Sequence, residues 1–111
     1  IPLLRARELG FDNNLVVLTR NKGYRKPQKP TTVPWFCYRK YPLLREAIRR
    51  RNTLYNEQID LVERLEDKGE LVVIRPQRPI TVDRIERDTR KLLDLYNEGY
   101  ECAAAVEFVK G

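Results

Sequence analysis

The sequence predicts an α/β fold organised as a βαβ unit. Three observations carry that prediction. Leu15–Thr19 and Leu71–Ile74 are uninterrupted apolar runs rich in β-formers, as strands buried on both faces of a parallel sheet are. Between them lies a long stretch with apolar residues at helical spacing. Gly10, Gly69 and Gly99 stand where helices are expected to stop. Two buried strands joined by a helical crossover pair in parallel.

The elements follow in order. Pro2 suits a first helical turn, and Leu3, Leu4, Ala6 and Leu9 form a short helix closed by Gly10. Phe11-Asp12-Asn13-Asn14 is a turn. Leu15–Thr19 is the first strand, and residues 21–34 are a loop with one glycine and three prolines. Trp35–Tyr38 is an aromatic segment of one helical turn. A single long helix is expected from Leu43 to about Lys68, with Leu44, Ile48, Tyr55, Ile59 and Val62 on its buried side. Gly69 ends it. Leu71–Ile74 is the second strand, stopped by Arg75-Pro76. Ile80-Thr81-Val82 is a short extended piece. Asp88 is an N-cap for a helix Thr89–Glu98, and Glu101–Val109 is a last helix with a small-residue face. Both strands run into arginine, Arg20 and Arg75, at the same carboxyl edge of the sheet.

Composition removes several function classes. The 111 residues include no histidine and no serine, which excludes His-based acid–base catalysis and a serine nucleophile within this chain. No phosphate-cradling glycine motif is present. Two distant cysteines, Cys37 and Cys102, do not make a zinc site and read as reduced thiols. Thr19 and Cys37 have no adjacent base. The acidic sets Glu63/Glu66/Asp67 and Asp83/Glu86 read as solvated helix faces paired with Arg64, Arg84 and Arg87. No cofactor and no metal ligand set is expected. A chain that opens on Ile-Pro and holds no methionine reads as a fragment or processed product.

Charge is unevenly distributed. Residues 1–53 carry thirteen Lys/Arg against three Asp/Glu, and residues 54–111 carry nine against thirteen, so +10 and −4 make up the net +6. This polarity suits either a phosphate-seeking face or a surface that neutralises itself within the fold. The candidate contact residues are Arg20, Lys22, Arg25, Lys26 and Lys29, with Tyr24 among them and Trp35, Phe36, Tyr38, Arg39, Lys40 and Tyr41 downstream. Cations interleaved with aromatics suit single-stranded nucleic acid or an anionic lipid surface. The aromatics are expected to pack the loop down, and the cations lean towards lipid headgroups. The run Arg49-Arg50-Arg51 covers most of a helical turn, so at least one of its cations must face inward or bridge a partner.

Several blocks, in this order, resemble the C-terminal part of bacterial patatin-like phospholipases: Val17–Pro27, Tyr38–Pro42, Arg51–Asn56, Val73–Pro76, Arg84–Asp88 and Leu95–Tyr100. The resemblance covers nearly the whole chain. It implies a larger three-layer α/β/α sheet and a Ser–Asp dyad that cleaves acyl esters of lipids. The dyad's G-x-S-x-G and its D-G-G or D-G-A motif are absent here, and Asp12 is followed by Asn13. No catalytic residue carries over, and the chain alone is expected to be inactive. In the family an Ile-Pro-rich helix like residues 1–10 follows closely after the dyad aspartate.

On this reading residues 1–20 are the end of the catalytic core, 21–42 a basic Pro/aromatic-rich loop, and 43–111 an appended helix–strand–helix region. The expected partners are the upstream catalytic part of the same protein, or a second copy, which completes the sheet, and an anionic lipid surface; nucleic acid ranks below these. The expected location is cytoplasmic, peripheral at the inner membrane face. The alternative is a freestanding basic α/β module that binds nucleic acid or another anionic partner.

Overall fold

The computed structural model describes residues 1–106. It contains α1 (Leu3–Glu8), β1 (Asn14–Val17), α2 (Pro42–Arg49), α3 (Arg51–Asp67), β2 (Leu71–Ile74) and α4 (Thr89–Ala104). The fold is mixed α/β. The chain divides into two compact units, one of Ile1 with Arg25–Arg64, the other of Pro2–Tyr24 with residues from Leu65 onward.

The second unit holds the sheet. β1 and β2 pair in parallel, with Asn14 opposite Leu71 and Val17 opposite Ile74, and Leu18 N–H donates to the Ile74 carbonyl at 2.8 Å. Leu3, Val16, Leu65 and Leu71 are its buried apolar side chains. Both glycine stops are Schellman motifs. Gly10 (φ +89°) donates to the Arg7 carbonyl and Phe11 to that of Ala6; Gly69 (φ +72°) donates to Glu66 and Glu70 to Leu65. The left-handed backbone at these two positions is what calls for glycine.

β1 departs from the expectation of a strand buried on both faces. Val16 is buried, but Leu15 is 41% and Val17 66% exposed. Alternate side chains of a strand point to opposite faces, and only the Val16 face is covered among the described residues. β2 is better covered, with Leu71 buried and Val72–Ile74 half-buried. Ile80–Val82 forms no strand. Asp88 caps α4 as expected, accepting from Arg90 N–H at 2.9 Å and from Lys91 N–H at 3.5 Å. Gly99 does not end that helix. It lies within α4, with nothing within 4 Å of where a Cβ would stand. One glycine costs about 1 kcal/mol against alanine, too little to stop a well-capped helix. The expected final helix is therefore the C-terminal part of α4, and its end towards Val109 lies outside the described residues.

The first unit contains α2 and most of α3. The expected single helix is interrupted at Arg50. Next to that point the Arg49 carbonyl accepts from Thr31 N–H at 3.4 Å. Ile59 and Val62 are buried, Val62 completely. Among the described residues no helix is long and apolar enough to cross a membrane.

Candidate functional site

The basic loop is built by its prolines and by one face of the helices. Pro27, Pro30 and Pro34 fix φ and remove three donors, so the segment cannot form its own ladder. Its main chain is instead bound by helix side chains. Asn56 clamps Lys26 from both sides: Lys26 N–H donates to Asn56 Oδ1 at 2.8 Å, and Asn56 Nδ2 donates to the Lys26 carbonyl at 2.9 Å. Asn52 Nδ2 reaches the Lys29 carbonyl at 3.4 Å. Arg45 donates to the carbonyls of Pro34 at 2.8 Å and Cys37 at 2.5 Å, with longer contacts to Val33 and Trp35. Residues 45 and 49 of α2 are four apart and share a face of that helix, as do residues 52 and 56 of α3. The loop residues rise as the helix residues fall, so the strap runs antiparallel to the helices.

Arg25 continues this row. Its guanidinium forks onto Asp60 (2.7 Å) and Glu63 (2.8 Å). These partners hold its pKa above the usual value, the hydrogen bond with Glu63 first, against the opposing effect of desolvation. Lys26 Nζ sits 4.3 Å from the centroid of the Tyr55 ring. For Lys29 the contact described is made by its main chain, and the residue is exposed.

The other two candidates belong to the sheet-bearing unit. The Arg20 guanidinium lies 4.9 Å over the Tyr24 ring. Lys22 pairs with Asp67 at 3.5 Å, an exposed pair worth at most about 1 kcal/mol. The five candidates therefore fall into two groups, Arg20 with Lys22 and Arg25 with Lys26 and Lys29. The acidic residues take different partners from those expected: Glu63 binds Arg25, Glu66 binds Arg75 and Asp67 binds Lys22. Glu86 accepts the backbone N–H groups of Asp83, Arg87 and Asp88, and these bonds, that from Asp88 first, hold its carboxyl below the usual range.

Sequence reasoning misplaced the aromatics. Trp35 is 71% and Phe36 65% exposed, and neither packs the loop down. Their rings meet edge to face, with centroids 5.9 Å apart, and the Arg39 guanidinium lies 5.9 Å from the Trp35 centroid. Two turns, Cys37 N–H to Pro34 and Tyr41 N–H to Tyr38, set this knuckle. Tyr38 carries a φ of +54°, an uncommon conformation for a bulky residue. The segment lines an open hollow of about 660 Å³. Arg45 binds the carbonyls of Pro34 and Cys37, while the rings between them stand open to solvent.

A second hollow, of about 720 Å³, lies in the sheet-bearing unit at the carboxyl end of β2, lined by Glu66, Arg75, Arg78, Asp94, Glu98 and Cys102. Arg75 and Arg20, the two cations expected at this edge, have separate partners: Glu66 and the Tyr24 ring. Cys37 and Cys102 are free, half-buried thiols. Among the described residues no group of three Cys, Asp or Glu is arranged to hold a metal ion.

Residues 41–106 match the family model described as Domain of unknown function (DUF6363). The chain belongs to the DUF6363 family. The match spans α2, α3, β2 and α4, and leaves α1, β1 and the basic strap outside it. The DUF6363 region therefore contains one strand of the parallel pair, while its partner strand comes from the preceding residues. No curated protein and no solved structure matches the chain.

Proposed function

We propose that this chain is the C-terminal, non-catalytic part of a patatin-like lipid acyl hydrolase, where it completes the sheet and docks the enzyme on anionic lipid at the cytoplasmic membrane face. The observation that supports this most is the state of β1. A two-stranded parallel sheet has an unpaired edge on each strand, and β1 leaves Leu15 and Val17 open to solvent on one face. Both features are met if further strands pair along β1 and a helix layer covers Leu15 and Val17, as in a three-layer α/β/α sheet. The family reading rests on the order of the resembling sequence blocks, and the lipid reading on the acid-poor basic strap, whose charge suits anionic headgroups.

The test is hydrolysis of a phospholipid and of a chromogenic acyl ester by the full-length gene product, beside the same product carrying Leu15→Lys and Val17→Lys. The proposal expects turnover by the full-length protein, none by residues 1–111 alone, and loss of soluble, active protein in the double variant. A gene product without G-x-S-x-G upstream, or a double variant as soluble and active as the parent, would refute it. Salt-sensitive binding to oligonucleotides without binding to anionic vesicles would favour a freestanding nucleic-acid module instead.

A further inference from the structure

The lipid contact itself has a more definite location than the basic loop. We infer that the knuckle Trp35–Tyr41, together with the first turn of α2, is an interfacial membrane anchor that inserts into the headgroup layer of an anionic bilayer; this rests on the lipid-docking part of the function proposed above. Four features converge on it. Trp35, Phe36, Tyr38 and Tyr41 are all more than half exposed, and Leu43, the next apolar residue, is 86% exposed. Trp and Tyr carry an apolar body and a polar tip, which suits the boundary between headgroups and acyl chains. α2 itself is amphipathic, with Leu43, Leu44, Ala47 and Ile48 on one side, Arg45 and Arg49 on the other, and no buried residue.

Charge decides the kind of partner. Between Asp12 and Glu46 the sequence has eight Lys/Arg and no Asp or Glu. Arg39 and Lys40 stand within the knuckle, where an anionic surface attracts them. A second copy of this chain would set cations against cations at the same patch. An anionic headgroup layer complements the cations and takes up the rings.

The knuckle is also held in place before it meets a membrane. Arg45 binds the carbonyls of Pro34 and Cys37, on either side of Trp35 and Phe36. Ordering these residues in advance removes part of the entropy cost of insertion. Arg45 acts here as a positioning residue, since its guanidinium is directed at the main chain.

The chain contains one tryptophan, Trp35, so the reporter is already at the tip. The experiment titrates the full chain with vesicles of phosphatidylglycerol and phosphatidylcholine, and with phosphatidylcholine alone, following Trp35 fluorescence and its quenching by brominated acyl chains. The expected result is a blue shift and quenching with anionic vesicles, weakening with salt. Phe36→Ala with Leu43→Ala should bind at least tenfold more weakly, about 1.4 kcal/mol, with an unchanged urea midpoint because both residues are exposed. Vesicle binding with a silent Trp35 and full affinity in the double variant would overturn this inference while leaving lipid docking to Lys22 and Lys29. No vesicle binding at all would overturn both.

Discussion

Asn56→Ala tests whether the strap is held by its main chain. The substitution removes two hydrogen bonds to the main chain of one residue, Lys26, at 2.8 and 2.9 Å. Each contributes about 0.5–1.5 kcal/mol net, and their part-buried setting places the pair near 2 kcal/mol. Alanine is the better helix former by about 0.7 kcal/mol, which offsets part of the loss. The expected net destabilisation is about 1 kcal/mol. Asn52→Ala is the internal control. It loses one long bond, at 3.4 Å, and gains the same propensity, so its effect should be close to zero. Urea unfolding followed by circular dichroism gives the global values, and hydrogen exchange at the Lys26 amide gives the local one. That amide donates to Asn56, so its exchange should quicken about fivefold in Asn56→Ala, the equivalent of 1 kcal/mol, and remain near wild type in Asn52→Ala. If the two variants behave alike, or if Lys26 exchange is unmoved, the strap is held by something other than this clamp.

Val62→Ala should cost about 2 kcal/mol in a urea titration, because Val62 is wholly buried, whereas Val17→Ala on the open face of β1 should cost almost nothing. Gly69→Ala should lose about 1 kcal/mol purely through backbone strain at φ +72°, as no atom lies within 4 Å of the added methyl; an unchanged thermal midpoint would contradict this. The Glu86 carboxyl is held below its ordinary range in the folded chain, so its contribution to stability is present above that range and is lost as pH falls through the lowered value. The amide signals of Asp83, Arg87 and Asp88 should shift together over that acid window, and Glu86→Gln should abolish the shared transition.

Much of the backbone plan could be read from residues alone. The two glycine stops, the Asp88 cap and the parallel pairing each rest on a local signal that the fold obeys. Distant groups account for the break at Arg50, whereas Gly99 fails as a stop because a single glycine costs too little to end a capped helix. The Arg50 interruption lies beside a carbonyl engaged by Thr31, nineteen positions away from Arg50 in the sequence. The +10 and −4 halves suited a partner-seeking face and a self-neutralising one equally, and in the fold Arg25 meets Asp60 and Glu63 within its own unit. One hint was available: Asn52 and Asn56 fall one turn apart inside the single helix expected from Leu43 to Lys68, where asparagine is a poor former. Such a pair indicates that the side chains are needed for something other than the helix. Exposure of the aromatics had no comparable signature, because Trp-Phe reads equally well as core or as surface.

The strap from Lys26 to Cys37 is gripped almost wholly by its peptide groups, through Asn56, Asn52 and Arg45. A grip of that kind does not inspect side chains. Mutations in the strap can therefore change its charge, bulk or aromatic content while the helices go on holding it in the same path. Contact chemistry and fold are thereby separable in this chain. A saturation library over residues 26–37 should show wide tolerance for stability with sharp effects on binding, whereas a library over position 56 should show the opposite.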